Sequence, residues 1–339
     1  MPVKRLTDKG FSLVEIIIVI AIMAVVIGVV GTLLAGYTRM FNETDDQAVA
    51  RQRAQDVFNA LEVAVVGCAL GIPTDSINHM NYFDTAPISA WTGPLQILNT
   101  ETYNTATELN SGNVLRLAYS VPADTKNGNA RVSDFTPSAT GTPSVELTLT
   151  KPLAGDLVAY SGDAKDTRKF ITFANAYTSP LKVTNINGYT IKVTGMPQPA
   201  ADAADGDLAK LVRGEIAPYQ DVHLVRAIAA YVDSNSVFHA AEVNETDVSV
   251  NNPTGQLSPP GLRVEGIKAV WFETTNDRRL LTVKVLAEGE IVDQARLDDT
   301  LTRDAIKARW GSVKSADWDD RIFYADFAAT WRIRNYAPN

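Results

Sequence analysis

The sequence predicts an α+β fold in which one long N-terminal helix packs on a large antiparallel β-rich head. Three observations predict it. A run of twenty uncharged, mostly apolar residues begins at Ile16 and ends at Ala35. A proline-free helical pattern follows as far as residue 70. Beyond Pro73 the sequence changes to short runs in which apolar and polar residues alternate. Helical and strand periods in separate parts of one chain favour α+β over a repeating α/β arrangement.

The overall composition excludes several classes of protein. The 339 residues are 45% hydrophobic and 21% charged, which excludes full disorder and a membrane protein with many spans. The net charge of −8 argues against nucleic acid as the main partner. Cys68 is the single cysteine, so the chain has no intrachain disulfide and no paired-cysteine metal or redox site.

The apolar run has the length of a membrane span. Twenty helical residues extend about 30 Å, the thickness of a bilayer's hydrocarbon core. Lys4, Arg5 and Lys9 precede the run, which predicts a cytoplasmic N-terminus and an exported remainder. A buried core helix is one alternative, but such helices rarely lack a polar stripe. A cleaved secretory signal is another, but its apolar region is shorter and ends at a small-residue cleavage site.

Glu15 is a lone carboxylate at the edge of the apolar run. An ionisable group at membrane depth is costly, so we expect it to serve function rather than stability. The alternative is an incidental residue at the membrane interface. A carboxylate buried among packed apolar helices would need a cationic partner.

Residues 9–15, which read KGFSLVE, lie directly before the apolar run. A basic leader, glycine, phenylalanine and a glutamate five positions after the glycine resemble the prepilin cleavage motif of the type IV pilin superfamily. The resemblance implies that a prepilin peptidase cuts between Gly10 and Phe11 and that the nitrogen of Phe11 is methylated. It also implies that Glu15 pairs with the amino-terminal nitrogen of a neighbouring subunit in a filament and sets its axial register.

The resemblance divides the chain into a leader (1–10), a membrane and filament-core half-helix (11–36), an amphipathic half-helix (37–70) and a β-rich exported head (71–339). One feature departs from the family's major subunits, which usually carry a proline about twenty residues into the mature helix. Thr32, Gly28, Gly31 and Gly36 occupy that region instead. The departure and the large head favour a minor subunit.

The second half of the predicted helix has an apolar stripe and a charged outer face. The pattern predicts one helix over residues 12–70, stopped by the Gly-Ile-Pro sequence at 71–73. We expect Cys68 near its end to be a small buried side chain. The residues expected on the solvated outer face are Arg39, Asp45, Asp46, Arg51, Arg53 and Asp56.

Strand patterns run through the rest of the chain. At the C-terminus the alternation predicts that Phe323, Phe327 and Trp331 share the buried face of a long antiparallel strand. The other predicted strands cover residues 114–121, 145–150, 169–173, 189–194, 222–232, 237–243, 267–274 and 281–285. Two loop-like stretches, 196–206 and 251–261, predict a possible insertion over 196–261.

The C-terminal region has a weaker resemblance. The stretch around Trp271, a strand over 280–288 and the closing R-x-R-N sequence at 332–335 are similar to PilW-type minor pilins and J-type minor pseudopilins of type II secretion. The chain length favours the PilW-like class.

No catalytic or cofactor motif is present, and the sequence predicts neither an enzyme nor a bound cofactor. Asp202, Asp205 and Asp207 are oxygen donors suited to Ca²⁺, but their spacing lacks the EF-hand pattern, so the sequence favours a solvated loop over a metal site.

Together these observations predict a minor pilin or pseudopilin anchored in the bacterial inner membrane and carried into a type IV pilus or secretion pseudopilus. The implied partners are other pilins or pseudopilins, the prepilin peptidase, the inner-membrane assembly platform and the lipid bilayer. The alternative is a membrane-anchored or pilus-tip adhesin whose head binds a ligand.

Overall fold

The chain folds into one long helix and a head of two antiparallel sheets. The computed structural model describes residues 12–72, 74, 93–99, 112–123, 128–138, 144–153, 170–173, 181–194, 220–242, 262–292, 300–313 and 317–334. Helix α1 (Leu13–Val66) runs without interruption for 54 residues, roughly 80 Å. The predicted α+β arrangement, a long N-terminal helix on large antiparallel sheets, is confirmed.

Helix α1 ends at Val66, four residues before the predicted end at residue 70. The N–H of Gly67 donates to the carbonyl of Val63 and closes the last turn. The chain then joins the head, because the N–H of Ser120 donates to the carbonyl of Gly67 and the N–H of Ala69 donates to that of Ala118. Hydrogen bonds to residues 118–120, which are distant in sequence, therefore end the helix before the Gly-Ile-Pro sequence at 71–73 that is predicted to stop it.

The larger sheet has ten strands. They are β1 (Leu95–Asn99), β2 (Asn113–Pro122), β3 (Val132–Ser138), β4 (Ser144–Leu149), β5 (Phe170–Phe173), β6 (Leu181–Asn187), β7 (Thr190–Thr194), β8 (Val222–Val232), β9 (Val237–Glu242) and β10 (Leu262–Glu265). The strand order is β1-β2-β8-β5-β6-β7-β4-β3, with β9 also paired to β8 and β10 paired to β9. Strand β8 is buried along its whole length at the centre of the sheet, so the range 196–261 contributes to the core.

The smaller sheet has three strands in the order β11 (Ile267–Thr274), β12 (Leu280–Glu288) and β13 (Tyr324–Arg332). Its faces are covered by two different helices. One face packs on α1, and the other packs on α2 (Thr300–Arg309) through Ile306 and Trp310. The predicted inward side chains of the C-terminal strand do pack in the core beside α1.

The amide of Asn113 joins the two sheets. Its Nδ2 donates to the carbonyl of Phe272 (2.8 Å), and its Oδ1 accepts from the N–H of the same residue (2.7 Å). Asn113 stands at the start of β2 and Phe272 in β11, and both are buried. The side-chain amide thus replaces a strand partner where the two sheets meet.

The second half of α1 fills the space between the sheets. Its buried residues are Asp46, Ala50, Ala54, Val57, Leu61, Ala64 and Val65, a stripe with helical spacing. This stripe contacts Leu115 and Leu117 of β2 and Val283 and Val285 of β12 in one core. A separate core lies among β3 to β7, away from α1. The head is therefore anchored to the helix by its central strands and by the small sheet.

Candidate assembly helix and its junction with the head

The first half of α1 extends beyond the head with its apolar side chains uncovered. Every large apolar residue from Leu13 to Phe41 is 47–75% exposed, and burial against the head begins at Asp46. In the part of the chain that the structure describes, α1 is the one helix long and apolar enough to cross a membrane. About 50 Å of helix is thus available to lipid or to other helices.

The polar groups within this exposed half are satisfied by the helix itself. The hydroxyl of Thr32 donates to the carbonyls of Gly28 (3.1 Å) and Val29 (2.8 Å), and that of Thr38 donates to Leu34 (2.9 Å). Backbone and hydroxyl groups that bond internally need no water. The helix can therefore leave an aqueous environment without stranding these groups.

Helix α1 begins with a reciprocal cap between Ser12 and Glu15. The hydroxyl of Ser12 accepts from the N–H of Glu15 (3.2 Å), and the Glu15 carboxylate accepts from the N–H of Ser12 (2.9 Å). The negative charge also lies at the positive end of the helix dipole. Glu15 thus has a local role in starting the helix. Gly10 and Phe11 lie outside the described residues.

Asp46 marks the point at which α1 meets the head. Its side chain is fully buried, and its Oδ1 accepts from the backbone N–H groups of Glu290 (2.7 Å) and Ile291 (2.9 Å). The expected place of Asp46 on the solvated outer face was wrong. It lies four residues before Ala50, in register with the buried stripe, and that spacing is the sequence signal for its burial.

Arg53 holds the neighbouring backbone. Its Nη1 donates to the carbonyls of Glu288 (2.7 Å) and Gly289 (3.2 Å), at the end of β12. Gly266 faces the guanidinium so closely that a Cβ there would collide with it. Arg53 is half-buried and therefore also departs from the expected outer face. We call Asp46, Arg53 and residues 288–291 the junction clamp.

The other residues singled out by sequence have structural places or lie outside the description. Cys68 is fully buried, as predicted, and burial raises the pKa of its thiol far above its ordinary value. Trp310 packs in the core under α2. Asp202, Asp205 and Asp207 lie outside the described residues. Among the described residues, no group of three His, Cys, Asp or Glu side chains has the geometry of a metal site.

Two clefts flank the small sheet. One cleft, of about 340 Å³, separates α1 at Arg39 and Glu43 from the start of β13. The other, of about 620 Å³, is lined by Trp271, Trp310 and the Lys284–Glu273 ion pair (2.7 Å). An aromatic wall with a charged rim is suited to a polar ligand with an apolar face.

Comparison with known proteins places a motif on the exposed half of α1. The family model for the prokaryotic N-terminal methylation motif matches residues 5–31. This motif is the one carried by type IV pilins and pseudopilins, and its match spans the predicted cleavage position, Glu15 and much of the apolar run. No curated protein and no solved structure gives a significant match to the chain.

Proposed function

We propose that this chain is a minor subunit of a type IV pilus or of a type II secretion pseudopilus. The single observation that carries the proposal is the long exposed apolar half of α1, on which the N-terminal methylation motif lies. Before assembly this half anchors the protein in the inner membrane. On assembly it packs among the helices of other subunits, which replace the lipid around it.

We propose that processing precedes assembly. A prepilin peptidase cuts between Gly10 and Phe11, and methylation follows on the nitrogen of Phe11. The test is mass spectrometry of the intact chain from cells with and without the peptidase. We expect the wild-type chain to lose ten residues only when the peptidase is present, and Gly10→Ala to keep its leader in both strains. If the Gly10→Ala chain still loses its ten-residue leader in cells with the peptidase, the proposal is contradicted.

The row Ala24, Gly28, Thr32 and Gly36 supports helix-to-helix packing in the filament. These small residues recur every four positions, and a Cβ added at Gly28 or Gly36 would meet no atom within 4 Å. Small side chains at this spacing allow two helices to approach closely in an apolar environment. The row therefore gives α1 a face of small side chains on which another helix can pack closely.

A minor role is supported by two features. Helix α1 runs through residues 28–36 without a break, whereas major subunits have a proline there. The head, about 270 residues by sequence, is also large for a subunit repeated at every filament position. A place in a priming or tip complex, as for PilW-type pilins or J-type pseudopilins, fits both features. Loss of surface fibres and twitching on deletion would assign the pilus, whereas loss of protein secretion would assign the pseudopilus.

A second candidate function is ligand binding by the head, and the larger cleft favours it. Trp271 and the Lys284–Glu273 pair give this cleft both apolar and charged groups. Adhesion and filament incorporation are compatible. The test is binding of the detergent-solubilised full chain to host cells and immobilised glycans, with Trp271→Ala as the variant. Binding that Trp271→Ala abolishes supports an adhesin, and absence of binding by the wild-type chain contradicts it.

A further inference from the structure

Strand β13 forms one edge of the small sheet. Its nine residues pair with β12 from Tyr324 opposite Glu288 to Arg332 opposite Leu280, without a bulge. Within the described part of the chain, no strand lies on its other side. An edge strand with unpaired N–H and C=O groups is a template for another strand.

The hydrogen-bond phase shows which residues of β13 face outward. The N–H of Ile333 donates to Arg279, and the carbonyl of Phe323 accepts from Gly289, so the odd-numbered residues bond towards β12. The backbone groups of the even-numbered residues therefore point away from the sheet. They belong to Tyr324, Asp326, Ala328, Thr330 and Arg332.

The other described sheet edges are protected, and β13 is not. Strand β3 carries Pro137 and a register shift between Val132 and Asp134, both of which oppose pairing. Strands β1 and β10 have five and four residues. Strand β11, at the other edge of the small sheet, is already bonded on its outer side, at Val270 by Gly112 and at Phe272 by the Asn113 amide. Strand β13 has no proline, and the charge of its Asp326 is held by Arg309 (Nη2 to Oδ1, 3.0 Å). The longest of these edges is thus the one left open.

The edge of β13 lies beside the part of α1 that leaves the head. The smaller cleft is bounded on one side by Arg39, Glu43 and Gln47 of α1 and on the other by Phe323 to Asp326. A subunit that packs its own helix along this side of α1 places its head against the edge of β13. The edge is therefore continuous with the surface that the proposed function assigns to assembly.

A second copy of this chain does not fit the edge. Antiparallel pairing of two β13 strands in one sheet requires a two-fold axis perpendicular to the sheet. Because β13 packs on α1, that axis would reverse α1 and point the two apolar halves in opposite directions. The copies could not then share a membrane or one filament direction. Of the other described edges of this chain, β1 and β10 are short, β3 carries a proline, and β11 is already bonded to Gly112 and Asn113.

We propose that the outward edge of β13 is a docking strand for a different pilin-like subunit, which adds a strand of its own head to the small sheet. The inference rests on the proposed function. Backbone hydrogen bonds supply much of the affinity in such strand addition, and side chains on either face of the sheet select the partner.

The first test removes an outward N–H without touching the inner ladder. Ala328→Pro deletes the donor and places a ring against an incoming strand, whereas Ala328→Ser keeps the donor. We expect the proline variant to co-purify with assembled filaments at least about tenfold less, and the serine variant to behave as wild type. Equal recovery of the proline variant and the wild type overturns the proposal.

Hydrogen exchange on the unsubstituted chain keeps the test decisive if the proline variant unfolds. We expect the outward N–H groups of the even-numbered residues from Tyr324 to Arg332 to exchange quickly in the detergent-solubilised chain and to become protected in filaments. Equal exchange in both overturns the proposal.

The second test identifies the occupant. A thiol-to-amine crosslinker is attached to Thr330→Cys in intact cells, where the buried Cys68 does not compete. We expect an adduct with a different polypeptide that has a methylated prepilin-type N-terminus, and Ala328→Pro should abolish it. An adduct between two copies overturns the choice of partner. Failure of the proposed function appears separately, as an N-terminus that is the same with and without the peptidase.

Discussion

Asp46 and Arg53, seven residues apart on α1, hold four consecutive residues of the head by opposite means. Asp46 accepts from the N–H groups of Glu290 and Ile291, and Arg53 donates to the carbonyls of Glu288 and Gly289. Over residues 288–291 the Asp46 carboxylate thus binds two backbone N–H groups, and the Arg53 guanidinium binds two backbone carbonyls. The two side chains therefore fix both the position and the direction of α1 relative to β12.

Removal of the Asp46 carboxylate should weaken the head. Asp46→Ala removes the buried acceptor of two part-buried backbone N–H groups, and we expect a loss of roughly 3 kcal/mol in the free energy of unfolding. Urea unfolding of the full chain in detergent, followed by tryptophan fluorescence, measures it. Asp45→Ala is the matched control, because Asp45 is exposed and adjacent, and it should change the free energy by less than about 0.5 kcal/mol. Equal effects would contradict the clamp.

The joint between the sheets depends on an amide that both donates and accepts. Asn113→Asp places a carboxylate oxygen against the carbonyl of Phe272 in a buried setting, so we expect a greater loss of stability than for Asn113→Ala, which costs about 2–4 kcal/mol. Thermal unfolding of both variants tests the order. Asn185→Asp, the same change at an exposed residue of β6, should be nearly neutral. An aspartate variant as stable as wild type would show that the joint carries little energy.

The charge of Glu15 can be separated from its role in the helix cap. Glutamine serves at this position of a capping box, so Glu15→Gln should keep the start of α1 while removing the carboxylate that we propose to pair with a neighbouring N-terminus. We expect normal cleavage and membrane insertion but loss of the chain from filaments, measured by immunoblotting of membrane and filament fractions. Ser12→Ala removes one cap bond and keeps the charge, and it should still assemble. Normal assembly of Glu15→Gln would refute the register role.

The stability of the head should fall in mild acid because of His223. Burial lowers the pKa of its imidazole in the folded state below the ordinary 6.5, against the opposing field of Asp221. Its Nδ1 is buried without a hydrogen-bond partner among the described residues. The unfolded state then binds more protons below pH 6.5, so stability is full above that pH and declines as the pH falls towards the folded pKa.

The measurement is the urea midpoint at pH 7.5, 6.5 and 5.5. Each unit by which the folded pKa of His223 lies below 6.5 contributes up to about 1.4 kcal/mol to the decline. His223→Gln should flatten the profile over this window, since the depressed pKa of Asp221 titrates below it. A profile that keeps its slope in the glutamine variant would assign the acid sensitivity to other groups.

Local patterns predicted much of this fold. The apolar run of α1 could be predicted because twenty consecutive residues without a charge indicate a membrane-length helix whatever it packs against. Strand β13 is visible because one of its faces is buried and the other is not, so Phe327 and Trp331 alternate with Asp326 and Arg332. Elements whose burial follows a regular pattern along their own sequence could therefore be predicted.

Other features depend on contacts that no local pattern contains. Strand β3 includes Pro137, β10 has four residues and β6 has a register shift between Val183 and Asn185, so these strands depend on their neighbours. The helical spacing of Asp46 to Ala50 indicates its burial, but the N–H groups that it binds belong to residues 290 and 291, more than two hundred positions away. Helix α2 is short, and the segment packs on the small sheet through Ile306 and through Trp310 just past the end of the helix, which is too little hydrophobic pattern for a prediction.

Because α1 is continuous, it can transmit a pulling force between the filament and the head. The helix has no proline and no interruption between the apolar half and the head, so its axial backbone hydrogen bonds carry a pull on the head. Asp46 is the first residue of α1 to be buried in the head, and a tensile load enters the head there. The four hydrogen bonds of the junction clamp are among the first contacts of the head to carry that load.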